Sequence, residues 1–253
     1  LRSYLDKVRA ERPEEFLTVS REVDPAYEIT ASIVKLEKEA KRRPVMLFEK
    51  VKGTDFPVMS NLHASRPRLA MALGCNPRDM QKTFLAAMEN PIAPKEVNNG
   101  LCKDVVLKGA AVDMRALPQV VHHGGDGGPY ITAAISFAKD PETGIYNCAY
   151  NRLMITGKDT TSIHLTLGKH LWEFHKVAQA RGEPLQVAFA IGVHPAIALG
   201  ALSIGSIDED ETAIMGGLFG EAMEVVRCET IDLLVPAQAE MIIEAEILPG
   251  DTV

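Results

Sequence analysis

Tyr146-Asn147-Cys148-Ala149-Tyr150-Asn151-Arg152-Leu153-Met154-Ile155 is the stretch on which the reading of the fold turns. Its aromatic and apolar residues favour extended structure, and Gly157-Lys158-Asp159 then turns the chain back into residues 161–167, as in a hairpin. Side chains alternate along a regular strand, so the five-residue step from Asn147 to Arg152 puts the two on opposite faces. For both to reach one ligand, the segment must enter from a loop or carry a bulge, and bulges concentrate near active sites. Further on stand His170 and Glu211. An amide, an imidazole and a carboxylate can together surround a hard divalent cation. A guanidinium beside them can hold a carboxylate or phosphate through two parallel hydrogen bonds.

Around this stretch the pattern is strand-rich. Residues 130–138, 145–156 and 161–167 are expected as three antiparallel strands, with Asp140-Pro141-Glu142-Thr143-Gly144 as the first turn. Two shorter strands are expected over 105–107 and 112–117. Between them and residue 130 lies His122-His123-Gly124-Gly125-Asp126-Gly127-Gly128-Pro129, whose glycines can take positive φ and approach a ligand closely. Taken alone it reads as a flexible hairpin tip. His122 and His123 are adjacent and diverge on an extended chain, so joint metal ligation is not expected. Downstream come a helix over 169–181 ending at Gly182-Glu183-Pro184, an apolar strand over 185–191 and a small-residue helix over 196–202. Asp208-Glu209-Asp210-Glu211 opens a further short helix, and strands follow near 224–229 and 241–248. Acidic residues at a helix start ordinarily serve its dipole, so position alone singles out none of the four.

The first hundred residues read as a mixed α/β unit. A helix over 1–10, a strand over 16–23, a helix over 27–40 and strands over 45–51 and 57–62 follow one another. Pro67 suits a helix first turn, and Asn76-Pro77 has the look of a cap for a helix over 78–88. Asn90-Pro91-Ile92-Ala93-Pro94 and Asn98-Asn99-Gly100 then form a linker, giving two domains, 1–100 and 101–253.

A chain of 253 residues accommodates a sizeable core, and 46% apolar with 24% charged residues is ordinary for a globular protein. A formal charge of −7 argues against a nucleic-acid surface, and Lys41-Arg42-Arg43 reads as the solvated end of a helix. No apolar run reaches the length of a membrane span. Cys75, Cys102, Cys148 and Cys228 are widely spaced and read as reduced thiols in a cytoplasmic protein.

Several blocks together resemble the UbiD family of decarboxylases: Asn147 followed by Arg152, Gly168-Lys169-His170-Leu171-Trp172, and Glu211 ahead of Gly216-Gly217-Leu218-Phe219-Gly220. Val225-Val226-Arg227-Cys228-Glu229-Thr230 and Val235-Pro236-Ala237-Gln238-Ala239-Glu240-Met241-Ile242-Ile243-Glu244 continue the likeness in the family's order. The resemblance implies an α+β chain: an N-terminal α/β unit, then a split β-barrel like those of flavin reductases. It implies prenylated FMN held through its phosphate with Mn2+ (or Mg2+) and often K+. Carried over, Asn147, His170 and Glu211 are the metal ligands, and the match counted back from Cys228 is what selects Glu211. Tyr150, Asn151 and Arg152 line the flavin. Lys169 stands where several relatives have Gln, and a cation there could also meet the phosphate.

The implied reaction is reversible, non-oxidative decarboxylation of an aromatic or α,β-unsaturated acid, releasing CO2, with a cofactor made by a flavin prenyltransferase. Loss of CO2 leaves a carbanion that no ordinary side chain delocalises, so the cofactor serves as electron sink. Arg152 would hold the substrate carboxylate; without the family it reads equally as a surface salt bridge. The family's proton-handling glutamates lie in a Glu-Gly-Pro-Phe-Gly-Glu-like segment beyond the strand at 241–248, and a C-terminal α/β domain mediates oligomerisation. Neither occurs in these 253 residues, so the expectation is a fragment of a homo-oligomeric enzyme, inactive alone. A split-barrel FMN reductase and a non-catalytic flavin-binding or assembly subunit are the competing readings.

Overall fold

The computed structural model describes residues 1–250. Helix α1 (Arg2–Glu11) buries Tyr4, Leu5 and Val8 on one side. Strand β1 (Phe16–Val23) leads through α2 (Glu28–Glu39) into β2 (Val45–Val51), parallel to β1, and β3 (Val58–Ser60) adds an antiparallel third strand. Alternation on β2 divides the core: Met46 and Phe48 pack with Val23 and Ile29, whereas Val45 packs with Tyr4, Leu5 and Val8.

Arg68, on α3 (Arg66–Ala72), ties this unit together. It is 1% exposed, and its Nη1 donates to Glu15 Oε2 at 2.6 Å. Its Nη2 donates to the carbonyls of Arg43 at 2.9 Å and Asn61 at 2.8 Å, so one guanidinium joins the entry to β1, the entry to β2 and the exit of β3. Helix α4 (Met80–Glu89) starts two residues later than the sequence pattern predicts. Asn76 turns its amide toward Asp79 Oδ2 instead of capping, and Asp79 stands at the N-cap.

The stretch after α4 is docked along its length. Ile92 N–H donates to the Ala213 carbonyl, Lys95 N–H to Met223 and Val97 N–H to Val225. Strand β4 (Lys95–Glu96) thereby runs parallel to Glu224–Arg227, the strand β11. The strands expected over 105–107 and 112–117 are not formed. Short 3-10 turns occupy Leu101–Lys103, Gly109–Ala111 and Met114–Ala116, and the Asp113 carboxylate closes the last by accepting the Arg115 N–H.

Two of the three long strands are also corrected, because each is broken and shared between two sheets. Residues 130–138 give β5 (Tyr130–Ile131) and β6 (Ile135–Lys139); residues 145–156 give β7 (Tyr146–Tyr150) and β8 (Leu153–Ile155). With β10 (Leu185–Ile191) and β13 (Met241–Ile247), β6 and β7 form an antiparallel sheet in the order β13-β10-β6-β7. A second antiparallel sheet is β5-β8-β9, with β9 (Thr161–Ile163) completing the expected hairpin.

The four-stranded sheet is buried on both faces. Ala134, Ala138, Val187 and Phe189 face Leu153 and the Leu171 and Phe174 side chains of α5 (His170–Ala180). On the other face Ile135, Phe137 and Cys148 cluster with Ile197 of α6 (Pro195–Gly200) and Met215 of α7 (Glu211–Phe219). Val225 of β11 and Val235 of β12 (Leu234–Pro236) close that cluster. Helix α7 is held close to what precedes it by two glycines. A Cβ at Gly216 would fall on the Ile92 carbonyl oxygen, and one at Gly217 would lie 2.8 Å from that of Ala87. This packing fixes the start of α7, where Glu211 stands.

Candidate functional site

Three elements deliver the principal side chains. Asn147 lies on the edge strand β7, His170 is the first residue of α5 and Glu211 the first of α7. Asp210 caps α7 by accepting the Thr212 N–H at 2.9 Å, which sets the helix entry. From positions 23 and 64 residues apart the three converge. Asn147 Nδ2 donates to Glu211 Oε1 at 2.9 Å and lies 3.2 Å from His170 Nδ1; the imidazole and the carboxylate are 3.7 Å apart.

Glu211 is 3% exposed and Asn147 7%, so the carboxylate sits where water does not reach. Its Oε2 is buried with no hydrogen-bond partner. Burial pushes the Glu211 carboxyl up to about 7, against the pull of the Asn147 hydrogen bond. A buried carboxylate with one oxygen beside an amide and an imidazole and the other without a partner is a donor set that can hold a cation. The edge of an octahedron with bonds near 2.1 Å is about 3 Å, comparable with the spacings among these donor atoms. The Asn147 amide presents oxygen instead of nitrogen after a half turn of its terminal torsion. Among the described residues no three His, Cys, Asp and Glu side chains gather, so the amide is what completes this set.

Beside this trio the strand breaks at Asn151 and Arg152, between β7 and β8, which resolves the five-residue parity problem posed by the sequence. Asn147 and Asn151, four residues apart, share a face; Arg152 emerges from the break, exposed. Among the described residues its guanidinium meets no carboxylate and lies 5.7 Å from the centre of the Tyr130 ring. The surface salt bridge is therefore not its role within the described residues. Tyr150 points to the other face of β7, among the cluster that contains Cys148, and burial pushes its phenol up to about 12. Lys169 is exposed immediately before α5, whose N-cap has no side-chain hydrogen bond. Cys148 is fully buried, its thiol held well above the usual range by burial, which makes it a packing residue.

The glycine-rich segment is organised by Asp126, whose carboxylate accepts the N–H groups of His122 at 3.1 Å and His123 at 2.9 Å. His122 turns inward to Thr30 on α2, while His123 is exposed, so the adjacent imidazoles do diverge. Ser136 escaped the sequence reading. It is a buried hydroxyl on β6, and its signal was one polar residue inside Ala134-Ile135-Ser136-Phe137-Ala138.

Two family profiles match the chain: the 3-octaprenyl-4-hydroxybenzoate carboxy-lyase N-terminal domain over residues 9–88 and that enzyme's Rift-related domain over residues 94–253. The chain belongs to the UbiD family. It is 37% identical over 250 residues to the anhydromevalonate phosphate decarboxylase of Methanothermobacter thermautotrophicus, covering 99% of this chain and 56% of that protein. The UbiD-class enzyme HmfF from Pelotomaculum thermopropionicum, solved with FMN, superposes with a TM-score of 0.91 at 38% identity, over 98% of this chain and 55% of that one. An evolved dimeric HmfF in complex with prenylated FMN gives the same TM-score at 39% identity, covering 98% and 57%. The chain thus spans little more than half the length of these UbiD relatives. Among the described residues no helix is long and apolar enough to cross a membrane.

Proposed function

We propose that this chain supplies the cofactor and metal site of a UbiD-type decarboxylase acting reversibly on an aromatic or α,β-unsaturated carboxylic acid. The observation that carries the reading is the convergence of Asn147 and His170 on one oxygen of Glu211, whose second oxygen is buried with no partner among the described residues. In this reading residues 1–100 are the N-terminal α/β region, and residues 101–253 form a flavin-reductase-like split β-barrel. In this reading the enzyme is homo-oligomeric, and this chain spans little more than half the length of its relatives. The FMN and prenylated FMN bound in the two HmfF structures support the same cofactor here, delivered by a flavin prenyltransferase.

Asn147, His170 and Glu211 would hold Mn2+ or Mg2+, hard ions suited to oxygen ligands with one imidazole; K+ is a second cation of the site. A divalent ion there offsets the charge of the flavin phosphate, and prenylated FMN, when bound, supplies the electron sink for decarboxylation. The N-termini of α5 and α7 add positive ends to the same place, and the exposed ammonium of Lys169 adds a cation. Asn151 and Arg152 line the flavin, while the Tyr150 side chain packs into the cluster on the opposite face of β7. The Arg152 guanidinium, kept from internal carboxylates and steadied by Tyr130, grips the substrate carboxylate and orients the bond to be cleaved. In this reading a glutamate handles the proton.

A split-barrel FMN reductase leaves the buried Glu211 oxygen without a purpose, which favours the decarboxylase. The deciding experiment is a flavin absorption spectrum with metal analysis on protein co-expressed with a flavin prenyltransferase. Flavin accompanied by one divalent ion per chain is expected. Flavin bound at full occupancy without metal would overturn the reading.

A further inference from the structure

Five polar or charged side chains are fully buried among the described residues: Arg68, Ser136, Asn147, Glu211 and Thr212. Arg68 clamps the N-terminal unit, Thr212 bonds the α7 cap, and Asn147 and Glu211 belong to the proposed cation set. Ser136 is left over. It is 0% exposed on the central strand β6, on the face whose neighbours Ala134 and Ala138 belong to an apolar cluster. An alanine there would suit that surface as well, since a hydroxyl taken from water must find a partner to offset its desolvation.

The partner is informative. Ser136 Oγ lies 2.8 Å from Asn151 Oδ1 and 3.1 Å from the Ala149 carbonyl. One hydroxyl proton serves one acceptor at a time, and the shorter contact is to Asn151. Asn151 is also anchored through its main chain, its N–H donating to the Ala134 carbonyl at 3.1 Å. The side-chain oxygen is therefore drawn inward, and the amide nitrogen, with no hydrogen-bond partner among the described residues, is left with two free N–H donors. Asn151 lies next to Arg152 and on the same face of the chain as Asn147.

We propose that Ser136 is a positioning residue for the flavin: it locks the Asn151 amide with its donors outward, toward an acceptor on the isoalloxazine ring. The inference rests on the flavin-site reading above. Ser136 touches no cofactor itself and acts through Asn151. The ligand chemistry is specific, because the orientation offers hydrogen-bond donors and suits a carbonyl oxygen or unprotonated ring nitrogen.

The test is FMN titration, followed by fluorescence and absorption, of the wild-type chain, Ser136→Ala, Asn151→Ala and the double variant. Ser136→Ala is expected to weaken FMN binding about three- to tenfold, the effect of one neutral hydrogen bond on an equilibrium. Asn151→Ala should weaken it by a similar factor, and the double variant should lose no more than Asn151→Ala alone, because one function is removed once. Both single variants should shift the flavin absorption maximum in the same direction, which a fault confined to folding does not do. The melting temperature of Ser136→Ala should stay within a few degrees of wild type. Wild-type affinity and spectrum in Ser136→Ala, or losses that multiply in the double variant, would overturn this inference while leaving the flavin site standing. Failure of the wild-type chain to bind FMN would overturn both.

Discussion

Replacing Glu211 by Gln tests whether its burial without a cation is a cost to the metal-free chain. Burial holds this carboxyl at about 7 when folded, against about 4.3 for an exposed glutamate. A raised pKa means that the folded chain keeps a proton which the unfolded chain has already lost. The contribution is thus fully present below the unfolded value and is lost as pH climbs through the folded one. At about 1.4 kcal/mol per unit, metal-free wild type should lose on the order of 3–4 kcal/mol by pH 8, with about 1 kcal/mol of that already gone at pH 5. Gln keeps the shape and an acceptor for Asn147 but has no charge to desolvate. Denaturant unfolding in EDTA should therefore show wild type weakening from pH 5 to pH 8 while Glu211→Gln stays nearly level. The gap between them should move by about 2–3 kcal/mol in favour of the variant. Comparing two pH values cancels the constant cost of an unpartnered amide. Parallel stability curves for the two proteins would refute the reasoning.

Arg68→Ala leaves the Glu15 carboxylate to Arg12 and frees the carbonyls of Arg43 and Asn61; a loss of about 2–4 kcal/mol in unfolding free energy is expected, chiefly from the orphaned carbonyls, with Arg68→Lys recovering only part. Gly216→Ala drives a methyl onto the Ile92 carbonyl. It should cost about 1–3 kcal/mol in unfolding free energy and, by displacing the start of α7, weaken Mn2+ binding as well. Arg152→Ala should weaken a carboxylate substrate analogue by about 1.5–3 kcal/mol, measured by competition calorimetry, and FMN by clearly less; equal losses for both ligands would contradict a substrate role.

The parts of the fold that local pattern specifies were legible. The runs 16–23, 45–51 and 185–191 are strands over the expected residues, because each is a short apolar or alternating segment bounded by turn residues. What failed was decided by partners distant in sequence. Residues 105–107 and 112–117 are apolar enough for strands but meet no edge to pair with. β4 and β12 are too short to carry a period and exist only because β11 lies between them. The division of residues 130–138 and 145–156 between two sheets has no local signal either, although the parity of Asn147 and Arg152 demanded an irregularity and the structure puts it at Asn151–Arg152. Asn147, His170 and Glu211 could be chosen only through the family's spacing, since an acidic run at a helix start looks the same whether it faces solvent or a buried cation. Ser136 was invisible because a lone serine in an apolar strand declares nothing until its neighbour across the ladder is known.

The central claim is that Asn147, His170 and Glu211 clamp one divalent cation, and Mn2+ calorimetry in the presence of FMN tests it most directly. One Mn2+ per chain is predicted for wild type, with affinity reduced at least tenfold in each of Asn147→Ala, His170→Ala and Glu211→Gln. Equal Mn2+ affinity in wild type and all three variants would contradict the account.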